Sequence, residues 1–312
     1  MTRYVIVTPI RDEEEFIEAT IASVRGQSVT PAEWIIVNDG STDRTGEIID
    51  RHAGQVPWIR VVHRTNRGFR KSGGGVVEAF YDGYNAIQTQ SWEFIVKLDG
   101  DLTLPQNYFE KCFEHFALDP TLGIGGGEIY HDIDGVQKLE ATPKFHVRGA
   151  TKIYRRACWE GIGGLWRAPG WDTIDEVKAN MLGWKTYTFQ ELPVIHHRET
   201  GDADGVWRNY FKNGRANYIV GYHPVFMFGK CAKRILERPY GVIALALFCG
   251  FMSGYFAKVK QRVADKDVIR YLRGQQWRAL MGKKVGDVSE VVTPTGKREL
   301  EVLKLTTIHD EA

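Results

Sequence analysis

Four short apolar runs, each ending in a polar or acidic turn, organise the first hundred residues of the chain. Tyr4–Ile10, residues 34–40, residues 59–62 and Phe94–Leu98 are apolar almost without alternation, the pattern of strands covered on both faces. Between them lie stretches of helical character. Residues 13–25 are acidic and amphipathic. Ser41-Thr42-Asp43 supplies N-cap chemistry for a helix to about residue 49, and residues 76–87 form a third helix. Pro105 opens a fourth. Such βα alternation predicts an α/β domain built on a mostly parallel sheet with flanking helices.

After Gly123 the rhythm changes. Residues 123–127 and 144–156 read as longer, irregular strands, 174–182 as a helix, 184–189 and 192–197 as two strands, and 207–222 as a helix. No internal repeat or low-complexity linker interrupts them.

At 312 residues the chain has room for one large α/β domain with a helical extension. With 43% hydrophobic and 26% charged residues it is neither disordered nor fibrous. Lys+Arg 41 against Asp+Glu 39 argues against a nucleic-acid partner. The four cysteines, Cys112, Cys158, Cys231 and Cys249, form no CxxC pair; this excludes the common zinc sites and a disulfide framework and fits a reducing compartment. Because the N-terminus opens at once on an apolar run, no signal peptide is expected, and the catalytic part is expected in the cytosol.

The charge is unevenly spread. Residues 224–284 carry thirteen Lys/Arg against three Asp/Glu, and inside them residues 241–257 carry no charge. Lys233, Arg234 and Arg238 precede this segment, and Lys258, Lys260 and Arg262 follow it. Its seventeen residues stand at the short edge of a bilayer span. Cationic on both sides, it is expected to dip into an anionic leaflet from the cytoplasmic side, peripherally or as one short membrane segment, rather than to make a true span. A buried core helix is the plain alternative. Gly250 and Gly254 form a GxxxG, a pattern of close helix packing. The expected organisation is a catalytic domain over 1–222, a basic, apolar, membrane-associating helical region over 223–284 and a polar tail over 285–312.

In an open α/β sheet, ligands bind beyond the carboxyl ends of the strands. Three polar clusters fall at such ends: Arg11-Asp12-Glu13, Asn38-Asp39-Gly40 and Asp99-Gly100-Asp101. One Asp in such a place is ordinarily a turn or cap residue. Three along one rim point to a ligand. The carboxylates of Asp99 and Asp101 repel one another, and a divalent cation relieves that repulsion. Hard oxygen ligands select Mg²⁺ or Mn²⁺, which commonly bridges substrate phosphates. Gly100 would let the backbone approach the ligand.

Thr8-Pro-Ile-Arg-Asp-Glu13, Val37-Asn-Asp-Gly-Ser-Thr-Asp43, Leu98-Asp-Gly-Asp101 and Trp171-Asp172, followed by Gly183-Trp184, resemble the motifs of family 2 glycosyltransferases of the GT-A fold. The resemblance covers about residues 3–222. It implies that Pro9, Glu13 and Asp39 surround the base and ribose of a nucleotide-sugar donor, that Asp99 contacts the ribose side, and that Asp101 binds the metal on the diphosphate. It implies Asp172 as the catalytic base. Trp171 stands where the family has the Glu of a Glu-Asp pair, which leaves Asp175-Glu176 as an alternative. The spacing from Asp172 to Gly183 favours Asp172, and Asp175 and Glu176 also read as plain first-turn helix acids. Arg11-Asp12 replaces an aromatic and an Asn, so Arg11 enters the base contacts. Asn66-Arg-Gly68 resembles the donor loop. Arg67, Arg70 and Lys71 would meet the diphosphate there, unless the segment is only a solvated basic turn. His196-His197 is placed like a His that completes the metal shell, with His196 preferred and Mn²⁺ favoured over Mg²⁺; a structural His pair is the alternative.

One base and one metal, without a carboxylate nucleophile, imply single displacement with inversion at the anomeric carbon. The partners implied are a nucleotide sugar, a lipid-linked or glycan acceptor and a membrane surface, as in polysaccharide synthesis. Two rivals are weaker. A metal-dependent nucleotidyltransferase needs a Gly-rich basic loop after its first strand, whereas Arg11-Asp12-Glu13-Glu14-Glu15 is acidic. A catalytically retired membrane-associated scaffold has no reason to keep Asp39, Asp99, Asp101 and Asp172 together.

Overall fold

The rim is set by three parallel neighbours: β1 (Tyr4–Ile10) lies between β2 (Glu33–Asn38) and β4 (Phe94–Leu98). Every residue of these strands is buried, as continuous apolar runs require. In the register Ile10 is paired with Asn38, and Val7 with Lys97, so the three acidic turns leave the sheet along one edge. The computed structural model describes residues 2–68, 74–133, 136–140, 142–198, 205–257, 262–281, 288–293 and 296–301. By its contacts the chain divides into two compact units, Met1–Arg167 with Gly183–Glu199, and Ala168–Leu182 with Thr200–Ala312.

In the first unit, one sheet face holds the main core. Tyr4, Ile6, Trp34, Ile36, Val96 and Leu98 pack there with Ile17, Ile21 and Val24 of α1 (Ile17–Arg25) and with Tyr108, Phe109, Phe113 and Phe116 of α4 (Tyr108–Leu118). The helix α2 (Thr45–Ala53) begins after Asp43, whose Oδ1 accepts the Thr45 N–H at 3.0 Å. It leads to β3 (Ile59–His63), parallel to β2. On the other face, α3 (Gly74–Ala86) lies close because Gly83 has no side chain; a Cβ there would stand 2.6 Å from Val7 Cγ1.

The rest of the sheet is mixed. Its order is β3-β2-β1-β4-β8-β6-β9-β5, where β5 is Leu102–Thr103, β6 Leu122–Ile133, β8 Thr151–Arg155 and β9 Lys185–His196; β7 (Val136–Leu139) pairs with β6. Strand β8 runs antiparallel to β4 and β6, while β6 and β9 are parallel. Two expectations change here. Only Thr151–Arg155 of residues 144–156 is a strand. The two strands expected over 184–197 are one, because a register shift between Gly127 and Glu128 absorbs Gln190-Glu191-Leu192 without breaking the pairing. The helix α5 (Arg156–Ile162) follows β8 directly and stops at Gly163, which takes a left-handed φ of 72°.

The second unit is helical: α6 (Trp171–Met181), α7 (Gly205–Val220), α8 (Pro224–Lys233), α9 (Val242–Phe256) and α10 (Lys266–Leu280). The uncharged segment is α9, and the GxxxG glycines do serve packing. A Cβ on Gly250 would stand 2.0 Å from the Phe211 carbonyl oxygen of α7, one on Gly254 2.1 Å from the Tyr218 ring, and one on Gly214 2.0 Å from the Leu247 carbonyl oxygen. Two helix backbones thus meet at glycine notches. Met227 and Cys231 of α8 complete this small core with Ala244, Leu247 and Phe251. No helix among the described residues is long and apolar enough to cross a membrane. Within the expected polar tail, β10 (Val288–Thr293) and β11 (Gly296–Glu301) pair antiparallel.

Candidate active site

The loop after β1 is tied to the loop after β2. Asp12 adopts a left-handed φ of 55°, its N–H donates to Ser41 Oγ at 2.9 Å, and its Oδ1 accepts the Thr42 N–H at 2.8 Å. The Glu13 N–H donates to Thr45 Oγ1 at 2.8 Å. These bonds tie Asp12 and Glu13 to the segment that follows Asp39, and Pro9 pairs with Val37 in the sheet. Arg11 reaches Asn66 Oδ1 at 3.1 Å, so the departure from an aromatic at this position joins the first loop to the third.

Asp39, Glu13 and Asp99 each already have a cation. Arg64 and Arg67 both donate to Asp39, and they also reach Asp82 and Glu78. Arg198 donates to both oxygens of buried Glu13, at 2.6 and 3.3 Å, and its guanidinium lies over the Phe16 ring. Buried Lys97 donates to Asp99 and, at 2.6 Å, to the Gly149 carbonyl. Burial raises the Asp99 carboxyl and the charge of Asp101 adds to this, against the opposing pull of Lys97. Lys71 and Arg70 lie outside the described residues.

Gly100 has a packing reason of its own. A Cβ there would fall 2.4 Å from Ile10 Cγ2, and its carbonyl accepts Thr20 Oγ1 at 2.8 Å. The missing side chain makes room for the end of β1.

Asp101 meets His196. After Asp101 the chain turns back as β5, which pairs Leu102 with His196, and this places His196 Nε2 3.2 Å from Asp101 Oδ2. Both residues are buried. For Asp101, burial would raise the carboxyl, but the His196 hydrogen bond and the charges of His196, Arg198 and Lys97 outweigh it and hold the carboxyl low. For His196, burial would lower the imidazole, and the Asp101 hydrogen bond with the charges of Asp101, Asp99 and Glu140 raises it instead. His131, the β6 partner of His196, lies with its ring 5.3 Å away, and the Nδ1 atoms of both are buried without a hydrogen-bond partner. His197 points elsewhere, to Thr103 Oγ1 at 2.8 Å and onto the Phe16 ring. The two histidines are therefore not equivalent.

Among the described residues no three His, Cys, Asp or Glu side chains converge as a metal cage. Asp101 and the His196 Nε2 that faces it would offer a cation one oxygen and one nitrogen, leaving its other positions to waters and phosphate oxygens.

Asp172 belongs to the second unit, in the first turn of α6 after Gly170, whose φ is 84°. Of the three acids on this helix, Asp175 and Glu176 are buried and Asp172 is partly exposed. Asp175 Oδ1 accepts the Glu176 N–H at 2.7 Å. Tyr222 is pushed up to about 12 by burial, with the negative charges of Asp172 and Glu176 adding to it. Asp172 is the most exposed of the three.

Residues 5–167 match the model of the family described as "Glycosyl transferase family 2". The chain belongs to family 2 of the glycosyltransferases. Among curated relatives, it is 34% identical over 125 residues to the uncharacterized glycosyltransferase EpsJ of Bacillus subtilis, covering 40% of this chain and 33% of that protein. It is 28% identical over 218 residues to the putative glycosyltransferase EpsH of the same organism, covering 62% and 60%. It is 32% identical over 116 residues to poly-beta-1,6-N-acetyl-D-glucosamine synthase of Staphylococcus aureus, covering 37% and 26%. The chain thus spans less than two thirds of each of these relatives. Among solved structures, the mannosyltransferase PcManGT of Pyrobaculum calidifontis, in complex with GDP-Man and Mn²⁺, is similar with a TM-score of 0.54 at 17% identity, over 90% of this chain and 76% of that one. TarS 1–349 of S. aureus, in complex with UDP-GlcNAc, is similar with a TM-score of 0.51 at 14% identity, over 89% and 81%. The fold of this family 2 member is GT-A.

Three side chains that pair with the rim carboxylates were not singled out from the sequence: Lys97, Arg64 and Arg198. Lys97 had a signal, a lysine inside the apolar strand Phe-Ile-Val-Lys-Leu two residues before Asp99. Arg198 follows His196-His197 directly. Arg64 carried none, since its partner Asp39 lies on a different strand end.

Proposed function

We propose that this glycosyltransferase moves a hexose-type sugar from a nucleotide-sugar donor to an acceptor hydroxyl with inversion, in glycan or polysaccharide synthesis at a membrane surface. The observation that carries the reading is the Asp99-Gly100-Asp101 turn at the end of β4 with His196 against Asp101. Asp39, with Pro9, Arg11 and Glu13, forms the base and ribose pocket, and Asp99 takes the ribose. Lys71 serves the diphosphate. Asp101 and His196 would hold a divalent ion, Mn²⁺ or Mg²⁺, in keeping with the Mn²⁺ in the PcManGT complex. When bound, such an ion supplies positive charge to the departing diphosphate.

The side chains around it do the rest. Lys97 keeps Asp99 oriented, Arg198 balances Glu13, and the Arg64–Asp39–Arg67 group presents a fixed carboxylate to the donor. Asp172 takes the acceptor proton as the hydroxyl attacks. The relatives that are polysaccharide synthases favour a glycan or lipid-linked acceptor, and the basic, apolar second unit favours work on the cytoplasmic side of a membrane.

Stereochemistry tests the reaction class. With a competent donor, proton NMR of the sugar released to water during the first turnovers gives the anomer first formed. An anomer opposite to that of the donor supports single displacement, and the same anomer contradicts it.

A further inference from the structure

Helix α9 has two apolar faces, and among the described residues only one is covered. Ile243, Ala244, Leu247, Gly250, Phe251 and Gly254 are buried. The opposite stripe, Val242, Leu245, Phe248, Tyr255 and Phe256, is exposed, and Phe256 keeps 83% of its surface in water. The turn before the helix adds Ile235, Leu236 at 81% exposure and Tyr240. A helix apolar on all sides belongs in a core or a lipid phase, and here the core accounts for half of it.

We infer that the second unit lies in the plane of an anionic lipid surface, resting on the exposed stripe of α9 and the turn before it, without crossing the bilayer. The inference rests on the membrane-surface reading above and gives it a face. Three observations carry it. First, fifteen residues make a helix of about 22 Å, short of the ~30 Å hydrocarbon core. Second, the glycine face is locked on α7 at backbone contact distance, so α9 cannot leave its neighbour to span. Third, exposed Lys233, Arg238 and Arg262 flank the stripe, and the sequence adds Lys258 and Lys260, with Glu237 the one acid between Pro224 and Arg262. Apolar side chains between cations match acyl chains between anionic headgroups. A second copy of the chain on this face would bring two basic rims together, which charge repulsion disfavours.

Flotation of the full chain with vesicles tests this. Wild type should float with phosphatidylcholine vesicles containing phosphatidylglycerol at low salt, and at least about tenfold less with phosphatidylcholine alone or at high salt. The triple variant Leu245→Ser, Phe248→Ser, Phe256→Ser, folded by circular dichroism, should lose at least about tenfold of the binding, and Lys233→Glu with Arg238→Glu should lose the preference for anionic lipid. Alkaline carbonate should release the bound protein. If wild type floats and the triple variant floats equally, the face is wrong although the membrane reading stands. If wild type floats on neither vesicle, both fall. Resistance to carbonate overturns the in-plane arrangement. A dimer by light scattering that the triple variant abolishes assigns the face to a second copy and overturns the inference.

Discussion

His196 Nε2 stands 3.2 Å from Asp101 Oδ2 because β5, immediately after Asp101, folds back to pair Leu102 with His196. The two side chains come from distant parts of the chain, yet the sheet fixes their separation. Replacing His196 by Ala should weaken metal-dependent donor binding by about 10- to 100-fold, measured by titration calorimetry with Mn²⁺ present. His197→Ala, which removes only the Thr103 and Phe16 contacts, should leave that affinity within about threefold. Equal losses in the two variants would contradict the assignment.

Asp172 and Asp175 should separate in kinetics. Asp172→Asn should keep donor affinity and lower kcat by about 10²- to 10⁴-fold. Asp175 is almost wholly buried, so Asp175→Asn should show itself as a lower Tm. The reverse pattern would move the base to Asp175.

The α7–α9 notch makes a stability prediction. A Cβ on Gly250 would stand 2.0 Å from the Phe211 carbonyl oxygen, so Gly250→Ala must push two helices apart and should cost about 1–3 kcal/mol in denaturant unfolding. Gly274 in α10 is the control. A Cβ there meets only the Arg278 guanidinium, at 3.8 Å, so Gly274→Ala should be neutral or stabilising by up to ~1 kcal/mol through helix propensity.

Alkali should destabilise the first unit. Burial raises Tyr4, Tyr108 and Cys112, each further affected by a neighbour in the same group. Acids whose folded values are raised stay neutral when folded and ionise when unfolded. Their contribution is complete below the ordinary thiol value of 9.0 and is lost as pH rises past it. Unfolding free energy should fall from about pH 9, by about 1.4 kcal/mol per group per pH unit. Cys112→Ala should shift the onset toward the tyrosine value of 10.0. A flat profile from pH 8 to 11 would contradict this.

Much of this was legible in the sequence. The limits of β1 and β4 were read to the residue, because strands buried on both faces leave unbroken apolar runs. The Asp-Gly-Asp turn was legible because its chemistry is local. Long-range geometry was not. Residues 184–197 read as two strands because Gln190-Glu191 interrupts the apolar pattern, while pairing with β6 continues through the bulge. The ion pairs of Glu13 with Arg198 and of Asp39 with Arg64 join residues that only the folded sheet brings near. The Gly250/Gly254 pattern was visible, but its partner, Gly214 of α7, was not, since one helix carries no sign of which neighbour will fill its notch.

Thermal shift and donor turnover across a panel of nucleotide sugars with Mn²⁺, for wild type, Asp101→Ala and Asp172→Asn, test the central claim most directly. One donor should raise the Tm of wild type only when the metal is present. Asp101→Ala should lose that shift, and Asp172→Asn should keep the shift and lose turnover. A wild-type protein that no nucleotide sugar stabilises, with Mn²⁺ or Mg²⁺, would contradict the account.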